Sequence, residues 1–245
     1  MAKTKIEWCD YTVNPVKGKC PAACPYCYAR RLYDRFKWDP EPRLDLDAFQ
    51  SLRTVKEPSR VFVGSTMELF GDWIPRAWMM DILSLCDSYK RDGHIFLFLT
   101  KRPEKLINWS PFPDNCWVGV SATNVAQFHD AVHGLAYIEA TIKFLSFEPL
   151  LARLDIDLEL LTSLLKKTAN WIIVGQQTPV SRKTSPGIEW VRRIVEASDR
   201  AGLPVFLKDN LESLVYGQIR DYDITWATDS KYLVRQELPG LAMKR

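Results

Sequence analysis

No stretch of this sequence stays apolar for the roughly 18 residues that a bilayer-spanning helix needs. The opening residues, Met1-Ala-Lys-Thr-Lys-Ile-Glu-Trp8, lack the apolar core of a signal peptide. A membrane helix is therefore not expected, and a cytosolic location is. Charge of one sign is also scarce: the net charge over 245 residues is only +3. That value permits a nucleic-acid partner without arguing for one, because such a footprint needs basic residues clustered on one face. The basic clusters present are short (Arg30/Arg31/Arg35/Lys37, Lys101/Arg102/Lys105 and Arg192/Arg193). They read as solvated faces, which charge runs usually are. Internal repeats, low-complexity tracts and linker-like segments are absent, so the whole of 1–245 is expected to form one domain. Histidine is limited to His94, His129 and His133, none of them near a cysteine cluster in sequence.

Cysteine, by contrast, is concentrated. Three of the six lie in Cys20-Pro-Ala-Ala-Cys24-Pro-Tyr-Cys27, within a loop spanning residues 18–30 that runs into a helix beginning near Tyr28. In a reducing compartment these read as ligands or buried thiols rather than disulfides. Three thiolates at C-x3-C-x2-C spacing suit three irons of a [4Fe–4S] cube and leave the fourth iron free of protein ligands. Clusters used only for electron transfer normally have four. Amide groups and the dipole at the helix start favour thiolate and a negatively charged cluster. A zinc site, which would need a fourth ligand, and a loop without metal remain as alternatives. Cys86 and Cys116 fall on apolar stripes and read as core, and Cys9 reads as packing.

Short apolar runs alternate with segments of helical period, the mark of an α/β fold. The expected strands are Arg60–Ser65, His94–Thr100, Cys116–Ser121, Thr141–Phe147, Trp171–Gly175 and Pro204–Lys208, with a weaker one at Tyr11–Val16. Near-continuous apolarity suggests that both faces are covered. Expected helical stripes are Met79/Ile82/Cys86/Tyr89, Val125/Phe128/Val132 after an Asn124 cap, Leu158/Leu161/Leu164/Leu165, and Val191/Ile194/Ser198 closed by Gly202. Six or seven such units predict an α/β partial (β/α)6–7 TIM-like barrel. The proline-rich Trp38–Arg43 stretch reads as an insertion. Ligand sites in such barrels gather at the C-terminal strand ends. Those ends are polar here: Ser65-Thr66-Met67-Glu68, Lys101-Arg102, Ser121 to Asn124, Glu148, Gly175-Gln176-Gln177 and Lys208-Asp209-Asn210.

The cysteine loop with its aromatic Tyr26, followed by a run of βα units, resembles the radical S-adenosylmethionine superfamily. More narrowly, the chain resembles a phage-associated family of three-cysteine-motif proteins. That likeness is carried by Ile6-Glu-Trp8, Asn14-Pro15-Val16, Phe62-Val-Gly64-Ser65, Leu99-Thr100-Lys101-Arg102-Pro103, Trp117-Val-Gly-Val-Ser121, Leu145-Ser146-Phe-Glu148-Pro149 and Pro204-Val-Phe206-Leu-Lys208. It implies a [4Fe–4S] cluster on Cys20, Cys24 and Cys27, S-adenosylmethionine as cofactor, and a 5′-deoxyadenosyl radical that abstracts hydrogen from a substrate. It also implies an external reductant such as flavodoxin or ferredoxin. In the same way Tyr26 would pack near adenine, and Ser65, Thr66 and Glu68 would meet the methionyl amine. Lys101 and Arg102 would meet a carboxylate, Ser121 and Asn124 the ribose, and Glu148 would face the cleft centre. The resemblance favours a nucleic acid or nucleotide as substrate. A metal-stapled nucleic-acid-binding module and a hydrolase using Glu68 and Glu148 are the rival readings. The chain departs from the family in its tighter first cysteine spacing, and in Gly175-Gln176-Gln177-Thr178-Pro179 where a Gly-Glu-Ser-Gly-like turn is usual.

Overall fold

A computed structural model describes residues 3–218, 225–228 and 234–240. In chain order the elements are β1 (Tyr11–Val13), β2 (Val16–Lys17), α1 (Tyr28–Phe36), β3 (Arg43–Leu44), β4 (Arg60–Val63), α2 (Arg76–Ser88) and β5 (Ile95–Thr100). They continue with β6 (Cys116–Ser121), α3 (Val125–Ala136), β7 (Lys143–Phe147), α4 (Leu158–Thr168), β8 (Trp171–Val174), α5 (Ile188–Ala201), β9 (Val205–Leu207) and α6 (Glu212–Gln218). The main sheet has the order β1-β4-β5-β6-β7-β8-β9, so strand order follows chain order with no reversal. The pairs β1/β4, β4/β5, β7/β8 and β8/β9 are parallel. A sheet that adds each strand on the same side is singly wound, which separates a (β/α) barrel from a doubly wound sheet. The fold is thus α/β, of the partial (β/α)-barrel class.

All seven expected strands are present, each within a few residues of its expected span. They are continuously apolar because both faces are covered: β6, β8 and β9 are buried along their whole length. The chain divides into two compact units, one comprising residues up to Gly119 with Tyr137–Thr141, the other Val120–Ala136 with Ile142 onward. The first unit's core joins Phe49, Phe96, Phe98, Met79, Ile82 and Cys86, with Trp8 tilted against Phe62 at 4.8 Å. In the second, Trp171 packs Phe144 at 5.5 Å and Phe206 at 6.1 Å. Cys9, Cys86 and Cys116 are buried, as their apolar settings required.

Three local expectations change. The buried face of α3 is Phe128, Ala131, Gly134 and Leu135, with Val125 and Val132 only half-buried, so the stripe is rotated toward the small residues. The buried face of α4 is Leu161, Leu165 and Thr168 rather than the full leucine set. The Trp38–Arg43 stretch is not a free insertion, because Arg43 and Leu44 pair antiparallel with Lys17 and Val16. Gly18 makes that return possible. Its φ is +116°, and a Cβ there would lie 2.6 Å from the Glu41 carbonyl oxygen. The expected Gly202 closure of α5 is present at φ +70°, its N–H donating to Asp199.

β1 and β4 are fastened at their entry by a reciprocal clasp. Asp10 N–H donates to the Arg60 carbonyl, and the Arg60 N–H and guanidinium donate to the Asp10 carboxylate at 2.8, 3.3 and 3.2 Å. Burial alone would raise the Asp10 carboxyl, but the bonds from Arg60 outweigh it and hold the pKa below the ordinary value. A depressed folded pKa stabilises above the unfolded value and loses that contribution as pH falls through the folded one. Asp10→Asn is therefore expected to cost about 1 kcal/mol at neutral pH, since the pair is partly solvent-screened. In urea unfolding, the gap from wild type closes as pH drops below about 4.

Candidate functional site

The cysteine loop is fixed at both ends by bonds its sequence dictates. At its start Gly18 N–H donates to the Tyr33 hydroxyl (2.8 Å) and Lys19 N–H to the Pro40 carbonyl (2.8 Å). At its end Cys27 is the N-cap of α1: its backbone is extended and its Sγ accepts the Arg30 N–H at 3.4 Å. A sulfur here occupies the place of the usual Ser or Asp oxygen, facing the positive end of the helix. The tight curl between Cys20 and Cys24 puts Ala23 at φ +51°, a left-handed conformation that side chains resist. All three cysteines are reduced and partly exposed.

Cys20 is tied to the loop after β4. Its Sγ accepts the Glu68 N–H at 3.3 Å, and its carbonyl accepts from Arg30 Nη1 at 3.1 Å. Burial pushes the Cys20 thiol up against the lowering effect of that amide, and nearby Glu68 and Cys24 add to the rise. The Tyr26 phenol is pushed well above its usual value, by burial first and then by Cys24 and Cys27. Lys101 Nζ lies 5.9 Å from the centre of the Tyr26 ring. The first unit therefore brings Cys20, Cys24, Cys27, Tyr26, Glu68 and Lys101 into one neighbourhood.

Glu68 is a buried clasp. Its Oε1 accepts from Phe70 N–H (3.1 Å) and the Thr100 hydroxyl (2.7 Å), and its Oε2 from Lys101 N–H (2.7 Å). It joins the ends of β4 and β5 behind the cysteine loop. Ser65 and Thr66 are held by Asn14 just past β1: Asn14 Oδ1 accepts the Ser65 hydroxyl and the Thr66 N–H, each at 3.1 Å. Sequence reasoning assigned no role to Asn14 or Thr100. The signal was position: Asn14 directly follows β1, and Thr100 is the last residue of β5. Arg102 is engaged within the protein: its Nε meets Glu104 at 2.8 Å and its Nη2 meets Asp72 at 3.3 Å.

In the second unit Ser121 is buried at the end of β6, and Asn124 caps α3, its Oδ1 accepting the Gln127 N–H at 3.0 Å. Glu148 is ion-paired with Lys208. Gly175 leaves room for that pair, since a Cβ there would lie 2.9 Å from Lys208 Cδ and 3.4 Å from Glu148 Cγ. The unusual turn at Gln176 has a structural partner. Gln176 N–H donates to Asn210 Oδ1 (3.2 Å), Asn210 Nδ2 donates to the Gln176 carbonyl (2.7 Å), and Ser185 donates to Gln176 Oε1 (2.7 Å). The buried amide thus stitches β8 to the segment after β9 without a charge. Arg193, from the third basic cluster, lines an open recess on α5 with Arg153, Glu189, Trp190, Arg192 and Glu196, none of them an expected site residue.

Among the described residues, no three His, Cys, Asp or Glu side chains converge as ligands to a single metal ion. No helix among them is long and apolar enough to cross a membrane.

A family model described as a protein of unknown function, DUF5131, matches residues 3–220, and the chain belongs to that family. No curated protein matches it significantly. Among solved structures, it is similar to a cysteine-to-serine mutant of spore photoproduct lyase, with TM-score 0.60, 12% identity, and coverage of 84% of this chain and 78% of that one. It is also similar to spore photoproduct lyase complexed with dinucleoside spore photoproduct, with TM-score 0.59, 12% identity and the same coverage of 84% and 78%. A third similar structure is a mutant of the lyase with bound AdoMet and that dinucleoside, with TM-score 0.50, 14% identity, and coverage of 81% of this chain and 62% of that one. At these identities the likeness is one of fold.

Proposed function

We propose that this chain is a radical S-adenosylmethionine enzyme that holds a [4Fe–4S] cluster on Cys20, Cys24 and Cys27 and acts on a nucleic acid or nucleotide. The observation that carries this reading is the local setting of the three sulfurs. Two of them accept backbone N–H groups, Cys20 from Glu68 and Cys27 from Arg30, and the second lies at a helix start. Amide donors of this kind stabilise cysteinyl sulfur in an anionic cluster and set its potential. The fold shared with spore photoproduct lyase, solved with bound AdoMet and dinucleoside spore photoproduct, supports the choice of cofactor and substrate class.

When bound, the cluster and S-adenosylmethionine supply a 5′-deoxyadenosyl radical that abstracts a hydrogen atom. The chain's own residues bind and orient. Cys20, Cys24 and Cys27 would hold the cluster through their thiolates. Tyr26 offers its ring to adenine, with Lys101 beside it as a cation for the carboxylate. Ser65 and Thr66, steadied by Asn14, present the loop that receives the amine. Glu68 keeps that loop closed on Cys20 through three accepted hydrogen bonds, and Oε2, which accepts only one of them, keeps a lone pair for the methionyl amine. Arg102, with two carboxylate partners, contributes positive potential more than a direct contact. Within the second unit, Ser121 and Asn124 are the groups suited to sugar hydroxyls, and Glu148 is the carboxylate suited to a substrate. An external flavodoxin- or ferredoxin-like protein supplies the electron.

The test is anaerobic purification and reconstitution with iron and sulfide. The expected result is a brown protein with about four irons and four sulfides per chain, forming 5′-deoxyadenosine from S-adenosylmethionine under reductant. A colourless chain that takes up one zinc and forms no 5′-deoxyadenosine would instead establish the stapled binding module.

A further inference from the structure

We infer that the C-terminal end of α1 is a base-stacking platform for single-stranded nucleic acid, built from Phe36, Trp38, Arg35 and Lys37. This rests on the proposed nucleic-acid substrate and specifies its form. Phe36 and Trp38 are each about half exposed, at 52% and 51%, yet their rings are ordered against each other, stacked at 5.3 Å with 22° between planes. Tyr33 braces the indole edge-on at 5.3 Å. Arg35 places its guanidinium carbon 5.3 Å from the centre of the Phe36 ring. Apolar rings left open to water at a helix end are costly to maintain without a partner.

The backbone is bent to build this arrangement. Lys37 ends α1 at φ +52°, a left-handed conformation for which a non-glycine residue is penalised. The bend returns Trp38 to the helix, where its N–H donates to the Tyr33 carbonyl at 3.3 Å. A stretched chain would carry the indole away from Phe36.

Charge decides the partner. Two of the three acids near the rings in sequence are neutralised within the protein, Asp34 by Lys19 and Asp39 by Arg43 at 2.9 Å, and exposed Glu41 is the third. Among the described residues Arg35 and Lys37 are in no ion pair, and both are exposed. Exposed rings interleaved with uncompensated cations suit a polyanion with π-faces. Bases stack on such rings without regard to sequence, and the phosphates meet the cations. A duplex hides its base faces, so a single strand, or a splayed-out region of a duplex, is the form this surface fits. The basic cluster that the sequence alone read as a solvated face thus becomes half of a binding surface.

The test is fluorescence anisotropy of a labelled oligothymidylate with the anaerobically purified full chain, against a duplex of equal length, at several salt concentrations. Iron and sulfide measured on the same preparation report separately on the cluster. The wild type should bind the single strand at least tenfold tighter than the duplex. Trp38→Ala should weaken single-strand binding by roughly tenfold, while Trp38→Phe, which keeps a ring, recovers most of it. Arg35→Glu with Lys37→Glu should flatten the salt dependence by about two counterions. Equal single-strand affinity of wild type and Trp38→Ala overturns the inference, as does a duplex preference. So does a wild-type dimer that Trp38→Ala splits into monomers, since the rings would then be a self-contact. Because Trp38 is a surface residue, an unchanged circular-dichroism melt shows that the variant is folded.

Discussion

Cys24→Ala, purified and reconstituted without oxygen, should come out nearly colourless, with iron reduced to a small fraction of the wild-type content and 5′-deoxyadenosine formation at background. Cys24 is the informative member of the trio because its other structural duties are the smallest. Cys27 caps α1, so its replacement also removes a helix cap, at a cost of about 1 kcal/mol. Cys20 receives the Glu68 amide, so its replacement also leaves a partly buried donor without a partner. Cys24 contributes its backbone carbonyl to Cys27 N–H (3.0 Å), which alanine retains, and its thiol meets the Tyr26 hydroxyl, a weak bond that alanine loses. The control is Cys86→Ala. Cys86 is fully buried on α2 and should lose roughly 1–2 kcal/mol of stability to the cavity created, with iron content unaffected. If both variants keep their iron, the three-thiolate assignment is wrong. If both lose it, the loss reflects folding rather than ligation.

The second large effect concerns Glu68. Glu68→Ala removes the acceptor for two backbone N–H groups and one hydroxyl, all charge-assisted and largely shielded from water. Hydrogen bonds to a charged group contribute about 1.5–3 kcal/mol each, and three sharing one carboxylate are not additive. An overall loss of roughly 3 kcal/mol is expected, a fall in melting temperature of about 6–12 °C for a chain of this size. Glu68→Gln should fall between, because the amide nitrogen cannot accept from Thr100 or Lys101. Thr100→Val should cost about 1 kcal/mol by removing one donor. Glu68→Ala should also weaken retention of iron, since the Glu68 N–H is presented to Cys20 by the turn this carboxylate closes. A melting temperature within a degree or two of wild type would show that the clasp does not hold the strand ends together.

The fold was legible because its strands are buried on both faces, which leaves uninterrupted apolar runs such as Ile95–Thr100 and Cys116–Ser121. The caps at Asn124 and Gly202 were legible for a similar reason, since each depends on a residue with few other uses at a helix end. The β2–β3 ribbon was not, because two-residue strands carry no period. The buried face of α3 was misplaced because valine outranks alanine and glycine in apolarity, while a close helix approach selects the small residues. Within the candidate site, the cysteine spacing announced itself. Glu68 was picked out as a polar group at a strand end, but the three internal hydrogen bonds its carboxylate accepts were not visible there. A carboxylate's sequence position does not reveal how many amides will surround it. Arg102 illustrates the same point, its partners Asp72 and Glu104 being visible only once the chain has folded back.

The unreversed strand order has a consequence for biosynthesis. From β5 onward each main-sheet strand emerges from the ribosome directly after its neighbour, so the sheet can lengthen at one edge as translation proceeds. The exception is the first pairing, in which Tyr11 must wait for Val61. The nascent segment between them carries every cysteine of the trio, so the Glu68 N–H reaches Cys20 only after β4 has left the exit tunnel, whereas the bonds to Tyr33, Pro40 and Arg30 can form before it.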